Sequence, residues 1–320
     1  MAALGTFIVR RLAQAVPVLF GISLLLFILM HAMPGGPLAS FMHQPGITKK
    51  ELAAIAASYG VNQPIMVQYV DWLGNAIRGN FGYSYAYGQP AARMMLERIP
   101  ATIELMGSAF LISIIVSFLL GVFSAIRQYS FWDYFVTILS YFGMAMPTFF
   151  LGILALILFA VYLHWLPSGG MSTAGAPFSI GDRLYHLILP ASVLAFYTLA
   201  SESRYIRASM LEVIHADYVR TARAKGLSER IVIWRHALRN ALLPVVTVLV
   251  MDGAYLAGGA LVTETIFSWP GMGRLFYQAI GQGDYPVLMV IVSFLSVVIV
   301  FANIFADVLY GILDPRIRYN

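Results

Sequence analysis

The feature that most constrains this sequence is a series of six long apolar stretches. Apolar residues make up 60% of the chain and charged residues only 11%, about half the charged fraction of a typical soluble domain. A helix needs about twenty mostly apolar residues to cross a bilayer. We therefore predict an all-α integral membrane protein with six transmembrane helices, near Leu12–His31, Ala101–Ile126, Tyr134–Leu163, Leu187–Ser201, Leu242–Phe267 and Val287–Leu309.

Three of these stretches have individual features. The first follows the pair Arg10-Arg11 and is longer than the apolar core of a cleaved signal peptide, so we interpret it as a retained span. The third is long enough to tilt or to project from the bilayer. The fourth is short and contains Pro190, which interrupts a helical hydrogen bond.

Basic residues predict the orientation of the spans. With the N-terminus inside, thirteen of the twenty Lys and Arg residues fall on the cytoplasmic side, eight of them between Arg204 and Arg239. The two short outer loops hold one arginine each, Arg183 and Arg274. Because positive charge is enriched in cytoplasmic loops, both termini are predicted to lie in the cytoplasm.

One membrane domain, residues 1–320, with two elaborations accounts for the whole chain. The first elaboration is an extracytoplasmic helical insertion, residues 33–100. There, Thr48 and Glu51 have the spacing of a capping box, Pro64 suits the start of a helix that ends near Gly79, and a third helix is predicted from Pro90 to Arg98. The insertion is either a packed cap or a surface that also receives a substrate or a docking protein.

The second elaboration is the cytoplasmic loop of residues 202–241. Its first half predicts one helix with Leu211, Ile214, Tyr218 and Ala222 on the apolar side, ended by Gly226. In its second half, Ser228 is placed to cap a helix that continues through Pro244 into the fifth span. This second helix should bury Ile231, Trp234, Leu238 and Ala241.

Several interpretations of this loop compete on the residues alone. A basic amphipathic segment can bind a soluble protein partner, lie on anionic lipid, or act only as an orientation signal. Nucleic acid is a poor fit, since the loop has no aromatic stacking platform and no separate basic domain.

Longer motifs resemble one family, the inner-membrane permeases of binding-protein-dependent ABC importers, in the branch that handles dipeptides, oligopeptides and nickel. The motifs are Asp217–Leu227, His236–Pro244, Thr263–Arg274, Asp284-Tyr285-Pro286 and Asp314–Tyr319, with Arg10-Arg11, Pro17 and Pro34-Gly35 near the start. Together they extend over nearly the whole chain.

The resemblance implies partners and a site. It implies a heterodimer with a second homologous permease, two ATPase subunits that bind ATP and magnesium, an extracytoplasmic solute-binding protein, and a location in the inner membrane of a prokaryote. It also implies that the segment around 216–226 is a coupling helix that seats in an ATPase. The coupling residues would be Ala216, Asp217, Tyr218, Arg220, Thr221, Ala222, Arg223, Gly226 and Leu227.

Two positions depart from the family pattern. Where the general coupling motif has Glu-Ala-Ala, this chain has Arg220-Thr221-Ala222, so the resemblance does not imply a glutamate salt bridge to the ATPase. The branch commonly has Asp after Pro34-Gly35, and this chain has Gly36. A role of that carboxylate therefore does not transfer.

The sequence contains no motif typical of an enzyme active site or a metal site. The chain has no cysteine, and none of its three lysines follows a glycine in a phosphate-binding loop. Its six histidines are scattered without a His-Glu-x-x-His pattern. We therefore predict a non-enzymatic transport subunit with no cofactor of its own.

Asp252 is the one carboxylate predicted near the middle of a span. An ionisable group there is costly and faces either a water-filled path or a partner on another helix, so we predict that Asp252 lines the translocation path. The cargo could be di- or oligopeptides, or nickel chelates or oligosaccharides as in relatives of the family. An ion-coupled secondary carrier and a membrane scaffold without transport are the alternative functions.

Overall fold

The computed structural model describes residues 2–32, 36–38, 41, 47–58 and 60–313. Side chains are described within these ranges except at 2–8, 58, 243, 247, 250–259, 307 and 309–313. The described residues form helices and turns with no named strand, and Tyr83 and Pro90 form an isolated bridge. The closing motif from Asp314 and the pair Pro34-Gly35 lie outside the described residues.

The helices, in chain order, are as follows: α1 Ala2–Ala32, α2 Lys49–Ser58, α3 Ile65–Ile77, α4 Ala91–Ile126, α5 Phe131–Ala145, α6 Thr148–Ala155, α7 Ile180–Ile214, α8 Asp217–Ala224, α9 Glu229–Ile231, α10 Leu238–Ile266, α11 Met272–Gln282 and α12 Tyr285–Leu313. A 3₁₀ turn covers Gly36–Leu38, and π-helical turns cover Leu156–Tyr162 and Val232–Ala237. The prediction of an all-helical fold is confirmed.

Length and composition allow four of the described helical segments to cross a membrane: Val9–Ala32, Ala91–Ile126, Ile180–Ile214 and Tyr285–Ala306. The pair α5 and α6 adds a fifth if it counts as one span. Helix α10, at the position of the predicted fifth span, is 29 residues long, and at 1.5 Å per residue it too is long enough to cross. The total of six spans remains a prediction.

The predicted third span is not one straight helix. The axes of α5 and α6 differ by 108° across Met146 and Pro147. Pro147 has no backbone N–H, and it forces Met146 into an extended conformation, with φ −91° and ψ 125°. The prediction of a single long helix over Tyr134–Leu163 is therefore wrong, because it treated the segment as uniformly apolar and overlooked the proline.

The predicted fourth span was too short. Helix α7 passes through the buried Pro190 and runs 35 residues to Ile214, thirteen residues beyond the predicted end at Ser201. Tertiary packing explains this tolerance of proline, since α7 packs against α5, α6 and α10 and buries much of its length.

By its internal contacts the chain separates into two compact units. The first contains Met1–Thr102 and Pro270–Ile304, and its core includes Phe27, Tyr69 and Ile291. In this unit Asp284, which is 1% exposed, accepts hydrogen bonds from the Ser84 hydroxyl and from the N–H groups of Tyr85 and Ala86, at 3.1 and 3.4 Å for the two amides.

The helices of the insertion follow their local sequence signals. Thr48 donates its backbone N–H to Glu51 Oε2 at 2.8 Å, and Glu51 donates its own N–H to Thr48 Oγ1 at 3.3 Å, so the capping box is confirmed. The bonds that the Thr48 backbone N–H and hydroxyl donate to the Glu51 carboxylate hold its pKa below the ordinary value. Helix α3 ends before Gly79, which has φ +81°. The predicted third helix does not end at Arg98 but continues through Pro100 as α4.

The second unit contains Ile103–Trp269 and Phe305–Arg318. Small side chains set the distance between α4 and α7, because a Cβ on Gly121 would lie 2.7 Å from the carbonyl oxygen of Ser203. Near this contact, the Ser117 hydroxyl donates to Glu202 Oε2 at 3.0 Å. Small residues that permit close helix approach are typical of membrane helix pairs.

Candidate functional site

Residues 202–241, which we predicted to form a cytoplasmic loop, contain a short helix held between two long ones. Helix α7 ends at Ile214, and α8 covers Asp217–Ala224. After a turn, α9 begins at Glu229 and continues without a break through the π-helical turn Val232–Ala237 into α10, because the joining residues keep right-handed helical dihedrals. Helices α9 and α10 are therefore parts of one continuous helical segment.

Two side chains seat α8 on the rest of the unit. Val219 is completely buried and Ala222 is 6% exposed, and both belong to a cluster that includes Val122 and Ala125 of α4 and Val245 of α10. The predicted apolar stripe is wrong in two respects. Its residues lie on two helices, α7 and α8, and Tyr218 is 43% exposed, while its neighbour Val219 takes the buried position.

The turn after α8 confirms the prediction for Gly226. This residue has φ +77°, a left-handed conformation that a side chain makes costly. Its N–H donates to the carbonyl of Arg223 at 2.9 Å, and the N–H of Leu227 donates to that of Ala222 at 3.4 Å. These two bonds form a Schellman cap, which satisfies the last carbonyls of α8 and reverses the chain toward α9.

Arg223 joins the three helical parts of the loop. Its guanidinium donates to both carboxylate oxygens of Glu229 at 2.8 and 3.1 Å, and to the Ile214 carbonyl at 3.3 Å. The pair raises the pKa of Arg223 and lowers the pKa of Glu229 through hydrogen bonding and charge. We call this set of contacts, made by Ile214, Arg223 and Glu229, the loop clasp.

The loop clasp should loosen in acid. Because the folded-state pKa of Glu229 lies below its ordinary 4.5, its contribution to stability is complete above pH 4.5 and is lost as the pH falls through the lowered value. We expect hydrogen exchange of amides 214–231, corrected for intrinsic rates, to increase in that range.

In Glu229→Gln the exchange should already be fast at pH 7, and in the control Glu212→Gln, at an exposed position, it should match wild type. Identical pH profiles for Glu229→Gln and wild type would contradict this role.

In residues 228–241, which follow the turn at Gly226, the buried positions differ from those we predicted, and a π-helical turn accounts for the difference. Ile231 and Trp234, which we predicted as buried, are 43% and 51% exposed, while Val232 and Ala237 are completely buried. A π turn holds more residues than an α turn, so it shifts every later residue around the axis. The buried positions of Leu238 and Ala241 agree with the prediction. Ser228 occupies the N-cap position, but its side chain makes no capping hydrogen bond.

The predicted coupling residues divide into a seated and an open group. Ala222 faces the core and the Arg223 guanidinium forms the loop clasp, while Ala216 is partly buried. The residues of the open group are exposed, and among them a guanidinium nitrogen of Arg220 lies 3.7 Å from a carboxylate oxygen of Asp217. Its members are Asp217, Tyr218, Arg220, Thr221, Gly226 and Leu227.

Carboxylates were the main omission of the sequence reasoning. Asp252 lies on α10, and its side chain is outside those described. Glu202, 2% exposed on α7, is a buried carboxylate within the candidate span Ile180–Ile214, and we did not predict it. Asp133 is also buried. Glu202 was missed because the fourth span was predicted to end at Ser201. Asp133 and Arg207 are far apart in sequence, and only helix packing brings them together.

Several helices long and apolar enough to cross a bilayer define a multi-span membrane protein. The family described as binding-protein-dependent transport system inner membrane component matches residues 117–319, and its N-terminal region matches residues 4–106. The chain belongs to this family, whose members are permease subunits of transport systems.

Relatives support this membership over the full length. The oligopeptide transport system permease protein AppB of Bacillus subtilis (strain 168) is 43% identical over 317 residues, which cover 99% of this chain and 100% of AppB. The di/tripeptide transport system permease protein DppB of Pseudomonas aeruginosa (strain UCBPP-PA14) is 38% identical and is covered to 99%. Among solved structures, a chain of the MetNI methionine ABC transporter in inward-facing conformations has a TM-score of 0.55 at 14% identity, with 69% of this chain and 96% of that chain covered.

Proposed function

We propose that this permease subunit forms half of the path by which an ATP-driven importer carries di- and oligopeptides across the membrane. The cargo is supported by the names of the relatives, an oligopeptide permease and a di/tripeptide permease. Nickel chelates and oligosaccharides are the alternative cargoes. In this proposal both termini and the loop containing α8 lie in the cytoplasm, and six helices span the inner membrane.

The observation that carries the mechanism is the way α8 is held. Its inner face is buried against α4 and α10 through Val219 and Ala222, and its outer face is open. Because α9 is continuous with α10, a partner that pushes on the outer face of α8 moves the loop clasp and α10 together. An ATPase subunit that changes shape with ATP and magnesium supplies such a push, and the permease itself hydrolyses nothing.

The remaining partners follow from this division of labour. A second permease completes the path, a second ATPase drives it, and an extracytoplasmic binding protein captures the cargo. Asp252 remains proposed as a residue of the path. The selectivity of the importer then belongs mostly to the binding protein.

Reconstitution tests the proposal. The chain is placed in proteoliposomes with its companion permease, two ATPases and the binding protein, and uptake of a labelled dipeptide and pentapeptide is measured against a nickel chelate and an oligosaccharide. We expect peptide uptake only with hydrolysable ATP, and none when an ATPase variant that cannot hydrolyse ATP replaces the active one.

Proteoliposomes with this chain alone, under a proton or sodium gradient, provide the second measurement. They should take up no peptide. Uptake driven by an ion gradient would show a secondary carrier and would overturn the proposal, and ATP-driven uptake of the chelate or the sugar in place of peptide would overturn the cargo.

A further inference from the structure

A polar groove between α5 and α7 contains Arg204, which has no carboxylate partner among the side chains that the structure describes. The groove has a volume of about 460 Å³ and is lined by Thr137, Tyr141, Arg204, Tyr205 and Arg207, among others. Arg204 donates to the thioether of Met144 at 3.2 Å, and its guanidinium carbon lies 4.5 Å from the centre of the Tyr141 ring. Within the described part of the chain, Arg204 makes no ion pair.

The neighbouring Arg207 differs from Arg204 because it pairs with a carboxylate. Arg207, one turn along α7, donates to both oxygens of Asp133 at 2.7 and 2.8 Å, so its charge is neutralised within the protein. Arg204 is partly buried, yet its contacts are a thioether, which is a weak acceptor, and an aromatic ring. Guanidinium donors and an uncompensated positive charge therefore face the groove.

The residues around Arg204 indicate which class of anion would fit the groove. Tyr141 and Tyr205 line the groove, are 57% and 40% exposed, and add phenol side chains to its lining. Next to them, the outer face of α5 exposes Ile138 and Phe142, at 68% and 49%. A cationic, hydroxyl-lined groove beside an exposed apolar face matches a molecule with a phosphate and two acyl chains, since arginine and tyrosine suit membrane interfaces.

We propose that this groove binds the phosphate headgroup of one anionic phospholipid, with Arg204 as the residue that holds it. The acyl chains of the lipid lie along the apolar outer face of α5. The inference rests on the proposed orientation, which places Arg204 at the cytoplasmic edge of the membrane, where anionic lipid is expected to concentrate.

Native mass spectrometry of the assembled complex tests this. The complex is released from vesicles of equal parts phosphatidylglycerol and phosphatidylcholine, and the lipid that remains bound is identified. We expect one retained phosphatidylglycerol, with retention reduced about tenfold in Arg204→Gln, the loss expected for one charged hydrogen-bonded contact. Arg204→Lys should retain an intermediate amount, and Arg235→Gln, which removes an exposed charge from the same side, should match wild type.

Three outcomes would overturn the proposal: equal retention in wild type and Arg204→Gln, equal retention of phosphatidylcholine, or displacement of the lipid by inorganic phosphate or by a dipeptide, which would indicate a site for soluble anions. A separate labelling experiment tests the proposed orientation of the chain in the membrane. The chain has no cysteine, so a single cysteine from Lys225→Cys should react with an impermeant maleimide only from the cytoplasmic side.

Discussion

Asp133→Ala is expected to destabilise the subunit by about 3–5 kcal/mol, the cost of removing one partner from a largely buried, hydrogen-bonded ion pair. The Asp133 side chain is 4% exposed and that of Arg207 is 26% exposed. Besides Arg207, the carboxylate accepts hydrogen bonds from the Ser124 hydroxyl and from the Tyr129 N–H, the latter at 2.9 Å. Thermal unfolding of the purified subunit in detergent should show a large decrease in midpoint, and the amount of folded protein in membranes should fall with it.

Two controls test whether the loss of stability in Asp133→Ala comes from breaking a buried ion pair. Glu97→Ala removes one partner of an exposed pair, since the side chains of Arg93 and Glu97 are 73% and 55% exposed, and we expect a loss below about 1 kcal/mol. The double variant Asp133→Ala with Arg207→Ala should recover part of the stability, because no unpaired charge remains. A double variant that is as unstable as the sum of the two single variants would show that the pair is not the cause.

Val219→Asp should reduce transport at least about tenfold while the subunit stays in the membrane. The substitution removes about 1.5–3 kcal/mol of apolar burial and adds the cost of placing a carboxylate in the cluster formed by α4, α8 and α10. Helix α8 should then leave its seat and lose its fixed relation to α9. We expect ATP-dependent uptake to fall at least about tenfold, which corresponds to a loss of roughly 1.4 kcal/mol in the docking of the ATPase.

The matched control places the same charge on an exposed apolar residue of the same loop. Ile231 is 43% exposed, so Ile231→Asp should leave α8 in place and uptake close to wild type. Hydrogen exchange across residues 214–231 reports the position of α8 independently of transport. Normal uptake by Val219→Asp, together with fast exchange of α8, would show that this helix does not transmit the force.

Local features of the fold were predictable because their causes are local. The capping box of Thr48 and Glu51, the end of α3 before Gly79 and the turn at Gly226 each depend on residues a few positions apart. The coupling role of residues 216–226 was predicted from a contiguous motif and is a proposal. The face that α8 buries was assigned to Tyr218 and not Val219, because the end of α7 at Ile214 was not foreseen.

The sequence by itself determined that this chain is helical and built for a bilayer, since apolar content and span length follow directly from composition. Only the tertiary structure decided where α7 ends, how α5 and α6 bend at Pro147, and which carboxylates are buried. The physical reason is that packing between distant segments overrides local propensity: α7 continues through Pro190 within its contacts with neighbouring helices, and Arg207 is neutralised by Asp133, 74 positions away.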